Sequence, residues 1–140
     1  MRVRDKPPNV VLIVENLETG EIRMIETHNE WTSAGLDAVR NWWHGDTVAG
    51  MTHVAWVDTS GTEQVREVIT QRIKGTTGQL TIKQYLSSLT GNGHTYDTVQ
   101  VYNAASGGTC FAAATFTAIE KTAAIQITVT WDHTAADDGA

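Results

Sequence analysis

Ile125-Gln126-Ile127-Thr128-Val129-Thr130-Trp131 alternates apolar and polar side chains without a break. Successive side chains of a strand point to opposite faces, so this stretch predicts a strand, running from Ala123 to Trp131, with one face buried and the other toward water. The same signals recur along most of the chain. Residues 9–15 are β-branched and apolar, Asn16-Leu17-Glu18-Thr19-Gly20 supplies turn chemistry, and 21–27 resumes with Ile22, Met24 and Ile25. That is a first hairpin. Residues 52–57 form a short apolar strand closed by Asp58-Thr59-Ser60-Gly61. Residues 64–74 and 79–87 flank Gly75-Thr76-Thr77-Gly78 and predict one long two-stranded ribbon. Residues 89–95 read as a polar, glycine-containing loop, and residues 98–102 and 109–117 flank the turn Ala105-Ser106-Gly107-Gly108.

One segment departs from this period. Thr32 or Ser33 can cap a helix, Leu36, Val39 and Trp43 recur at i, i+3 and i+7, and Gly45 follows as a stop. The spacing predicts one helix over 33–43. Trp42 and Trp43 are neighbours on it and cannot face the same way, which predicts one packed inward and one covering an edge or a partner. About eight strands and one helix make the chain mainly β. The expected architecture is a single antiparallel sandwich or flattened, β-tulip-like barrel with an extended N-terminal arm. The arm is residues 1–8, where Arg2, Arg4 and Lys6 gather positive charge and Pro7-Pro8 favours an extended backbone. The β-rich domain is expected over 9–133, and 134–140 is expected as a mobile acidic tail carrying Asp137 and Asp138.

Composition narrows the functional classes. Ten Lys and Arg stand against sixteen Asp and Glu, a formal charge of −6, which argues against a nucleic-acid partner reached through a broad basic face. The longest apolar runs fall far short of the roughly 20 residues of a membrane helix, and residues 1–8 do not read as a signal peptide. The expectation is a chain with no membrane partner. A single cysteine, Cys110, excludes an intrachain disulfide framework.

Motifs for catalysis are weak. His28, His44, His53, His94 and His133 show no paired spacing of a metal site, and Asp132 and His133, adjacent on a strand, point to opposite faces. His53, His133 and Asp132 would be the residues of a small enzyme, the least favoured reading. Cys110 sits in an apolar strand without a local base. Gly75–Gly78 lacks the Lys-Ser/Thr of a phosphate loop, and Ser106-Gly107-Gly108 lacks the glycine that precedes a nucleophile elbow serine. The chain is therefore expected to be no enzyme and to use no cofactor or metal. Five tryptophans are many for this length and suit a dense core or a subunit interface. The candidate interface comprises Trp42 and Trp43 with the arm residues Arg2, Arg4, Lys6, Pro7 and Pro8.

Longer phrases carry a resemblance. His28-Asn29-Glu30-Trp31-Thr32-Ser33-Ala34-Gly35-Leu36 precedes the helix, and Gly50-Met51-Thr52-His53 leads into a strand. Tyr102-Asn103-Ala104-Ala105-Ser106-Gly107-Gly108-Thr109-Cys110-Phe111-Ala112 is followed by Ala114-Thr115-Phe116-Thr117, Ile119-Glu120-Lys121-Thr122 and the 125–131 strand. Together these resemble the small β-rich virion proteins of tailed phages, which include capsid decoration proteins and tail-fibre or tail-collar domains. The resemblance spans roughly residues 28–132. It departs at Cys110, where the family usually has Leu, and in lacking a long fibre-forming continuation.

The resemblance implies an oligomeric design: a homotrimer bound to the major capsid protein or other virion proteins, located in the virion after assembly in the host cytoplasm. A cement role on the head is the first reading. A tail, neck or fibre-base protein touching the host surface, through an exposed Trp or the 89–95 loop, is the alternative.

Overall fold

A computed structural model describes residues 2–3, 9–76 and 78–136, with the backbone alone at 2–3 and 134–136. In chain order the elements are β1 (Arg2–Val3), β2 (Val10–Asn16), β3 (Ile22–Thr27), β4 (Glu30–Trp31), α1 (Ser33–His44), β5 (His53–Asp58) and β6 (Glu63–Val68). Then follow β7 (Gln71–Lys74), β8 (Gln79–Leu86), β9 (His94–Tyr102), β10 (Cys110–Lys121) and β11 (Ile125–Ala136). Two antiparallel sheets form, in the orders β3-β2-β11-β8-β7 and β4-β10-β9-β5-β6, with β1 also paired to β11. Neither closes on itself, so the fold is a sandwich rather than a barrel.

Alternation places the core as the sequence predicts. Ile127, Val129 and Trp131 of β11 are buried, and so are Val10, Leu12 and Val14 on β2 beside it. From the other sheet Val54, Trp56, Tyr96, Val99 and Val101 meet them. Two tryptophans are thus core. The Trp56 indole donates to Gln84 Oε1 at 2.7 Å across the sandwich and meets Tyr96 edge-on. Trp131 donates to Asn29 Oδ1 at 2.7 Å. Each buried ring satisfies its one polar atom, so the cost of leaving a buried donor unpaired is avoided.

Four predicted boundaries change. The strand expected over 64–74 breaks at Ile69-Thr70: β6 pairs with β5 in one sheet and β7 with β8 in the other. Each residue at the corner is tied to a different sheet, Ile69 N–H to Thr52 O and Thr70 N–H to Lys83 O. Strand β9 starts at His94, inside the expected loop, once Gly91 and Gly93 have turned the chain at φ 73° and 87°. Strand β10 runs on to Lys121 through a bulge. Thr115 faces Thr98 and Ile119 faces Tyr96, four steps on β10 against two on β9. Bulging switches the inward positions from Ala112 and Ala114 to Ile119 and Lys121. Finally, β11 extends to Ala136 and pairs there with β1, so the first three residues of the expected tail are strand.

Helix α1 forms as its caps dictate. Thr32 Oγ1 accepts from Gly35 N–H at 2.8 Å and donates to the Cys110 carbonyl, which fastens the helix start to β10. Gly45, at φ 104°, ends it with N–H bonds to Asn41 O and Trp42 O. Gly35 lies directly on Phe111: a Cβ there would overlap the Phe111 carbonyl.

Candidate functional site

The face that α1 buries is not its large apolar stripe. Its buried residues are Gly35 and Ala38, the small ones. At 3.6 residues per turn, Leu36, Val39 and Trp43 share a line roughly a quarter turn away from Gly35 and Ala38. The sequence stripe is real, but the body does not cover it. Close approach to Phe111 requires glycine and alanine at the contact, and that rotates the bulky residues outward.

Neither adjacent tryptophan is packed inward, contrary to expectation. Trp42 is 64% and Trp43 52% exposed, and Leu36 beside Trp43 is 47% exposed. Trp42 does lie on the Gly35 side of the helix, about one turn past Ala38. Its indole overhangs a groove of about 430 Å³, lined by Ala38, Val48, Met51, Leu80 and Phe111 among others. A second recess of about 390 Å³ adjoins it, with polar lining from Asp37, Asn41, Thr47, Asn103 and Thr109. The apolar edge of the helix is bordered by Asp37 and Arg40, paired at 3.3 Å and both exposed. This surface combines aromatic anchors, an apolar recess and a charged rim, the features of a protein-contact patch.

Of the candidate interface residues, Trp42 and Trp43 fall on this surface. Arg2 contributes backbone to β1. Arg4, Lys6, Pro7 and Pro8 lie outside the described residues.

The residues weighed for chemistry are dispersed. Among the described residues no three His, Cys, Asp or Glu are grouped to hold a metal ion. His53 bonds Thr52 Oγ1 at 2.8 Å, while His133 is buried between aromatic rings. It stacks on Trp131 at 5.7 Å and 13°, and meets Trp31 at 5.4 Å and 60°. Burial lowers its pKa from 6.5 to about 4, against an upward pull from Asp132. Asp132 is on the opposite face, accepting from Thr81 Oγ1 at 2.6 Å. Cys110 is half-buried, and burial pushes its thiol pKa up, away from nucleophilic chemistry.

Two polar features went unread in the sequence. Lys121 is fully buried with its ammonium donating to Asn92 Oδ1 at 2.6 Å, and burial lowers its pKa. Arg66 lies 3.6 Å over the Tyr102 ring and donates to the Ala104 and Gly107 carbonyls, clamping the 103–109 turn. The β10 bulge turns Lys121 inward, and tertiary folding brings Arg66 to Tyr102, so neither had a local signal.

The phrases behind the phage resemblance converge in space. Asn29 meets Trp131, Thr32 meets Cys110, Gly35 meets Phe111, and Asn103 Oδ1 accepts from Thr109 N–H at 2.8 Å. They brace the region where α1 enters the sandwich. Among the described residues, no helix is long and apolar enough to cross a membrane. Comparison with protein-family models, curated proteins and solved structures finds no match to the chain.

Proposed function

We propose that this chain is a structural subunit of a tailed-phage virion, acting as an oligomeric cement protein on the capsid. The observation that carries the reading is the exposed apolar surface of α1, where Leu36 and Trp43 stand on the uncovered stripe and Trp42 overhangs the adjoining groove, all on a braced β body. Large exposed aromatics cost solubility unless a partner covers them, and they supply much of the energy of protein contacts. The sequence phrases shared with phage virion proteins point in the same direction, since their residues secure this helix to the sandwich. Cementing needs many repeated contacts and no chemical step. The arm with Arg2, Arg4 and Lys6 would add a second contact, to an acidic shell or a neighbouring subunit. In this reading the subunits form a trimer and contact the major capsid protein.

Immunogold labelling of intact virions that encode the chain tests this. Dense label over the head is expected. Label confined to the neck or tail tip would replace cement with the fibre-base role, and absence of label from every virion would overturn the proposal.

A further inference from the structure

We infer that copies of this chain join through the two edges of one sheet, β3 of one copy pairing in parallel with β7 of the next, so that three copies close a ring. The inference rests on the trimer of the proposed function and names the contact that makes it.

The outer strands of the β3-β2-β11-β8-β7 sheet each take a ladder from one neighbour, β3 from β2 and β7 from β8. Every second backbone N–H and C=O of such a strand points outward, open to another strand. Charge commonly guards an edge, because like charges repel a second copy. Here the two edges carry opposite signs. Glu18 and Glu21 at the turn and Glu26 along β3 are exposed, with Arg23 among them. Strand β7 carries Arg72 and Lys74, both exposed, with Lys83 beside it on β8. Among the described residues, none of these seven side chains is held in an ion pair. Like edges therefore repel and unlike edges attract. That disfavours a two-fold contact of β3 with β3, or of β7 with β7, and favours β3 with β7.

Direction and face agree with this pairing. Four antiparallel steps separate β3 from β7, so the two strands run the same way. Rotation about an axis along the strands sets β3 of one copy parallel to β7 of the next, and the ring leaves neither edge open. On the face away from the core, Ile22 is 66% and Met24 61% exposed on β3, and Ile73 is 40% exposed on β7. In the joined sheet these apolar side chains share one face. Helix α1 packs on β10 of the other sheet, so the contact leaves its exposed side free for the capsid.

The test is the mass of the full chain by light scattering across micromolar concentrations. The expected mass is about three times the 15.3 kDa of one chain. Arg72→Glu with Lys74→Glu makes both edges acidic, and Glu21→Lys with Glu26→Lys makes both basic. Each double variant should associate about 100-fold more weakly and run as a monomer. Its circular dichroism should match that of the parent, because all four side chains are exposed. A chain with all four changes exchanges the signs of the two edges and should form the ring again.

A monomeric parent chain, a dimer, or a trimer indifferent to the double changes would overturn the inference. So would a folded four-change chain that stays monomeric. These outcomes are separate from the virion proposal: label on heads with a trimer that ignores the edge charges removes only this contact, and a charge-dependent trimer without virion label removes only the cement role.

Discussion

His133 ties the stability of the sandwich to pH in a way that can be measured. Its imidazole is 5% exposed, enclosed by Trp131 and Trp31, and its pKa is lowered from 6.5 to about 4. The folded protein therefore keeps the ring neutral through a range in which the unfolded chain takes up a proton. Stability is at its full value above about pH 6.5 and falls as pH drops toward 4. Below the folded pKa both states are protonated, and this group adds no further loss. A shift of about 2.5 pH units at about 1.4 kcal/mol each amounts to about 3 kcal/mol. That is a large part of the roughly 5–15 kcal/mol of a typical domain. Carboxylates titrate over part of the same range, so the comparison must be with His133→Phe, which fills similar space without titrating. Urea unfolding at several pH values between 4 and 7 gives both stabilities. The parent should lose about 3 kcal/mol more than the variant over that interval, moving its midpoint by about 1–3 M relative to it. Parallel curves would refute the reasoning.

Three more expectations follow from the packing. Gly35→Ala must push α1 away from Phe111, at a cost of about 2 kcal/mol and a fall in melting temperature of several degrees by calorimetry. Gln84→Leu strands the buried Trp56 N–H and should cost about 1–3 kcal/mol in chemical denaturation, and adding Trp56→Phe should cost less than the sum of the separate changes. Asn92→Ala removes the oxygen nearest the buried Lys121 ammonium and should destabilise by about 2 kcal/mol, whereas Lys121→Met should be close to neutral by the same assay.

Local chemistry made much of this fold readable. The alternation of 125–131, the turn residues 16–20 and the caps Thr32 and Gly45 each act within a few residues, and each element stands where its signal lies. What could not be read depends on distant partners. No Gly or Pro marks the corner at Ile69-Thr70, because the corner is made by Thr52 on one sheet and Lys83 on the other. The β10 bulge reverses the inward positions without any break in the apolar pattern. The candidate surface was half legible. Trp42 and Trp43 could be singled out by type, and the stripe Leu36–Val39–Trp43 by spacing. Which way that stripe faces was fixed by Gly35 against the Phe111 carbonyl, a contact across 76 positions of sequence.

Attachment to virion heads stripped of their own copy tests most directly whether α1 is the working surface. Purified parent chain and the Leu36→Glu, Trp43→Glu chain would be added separately, and the bound protein per head quantified. The account predicts that the parent coats the heads and that the variant, folded to the same degree, binds sparsely. Equal coating by both would contradict it.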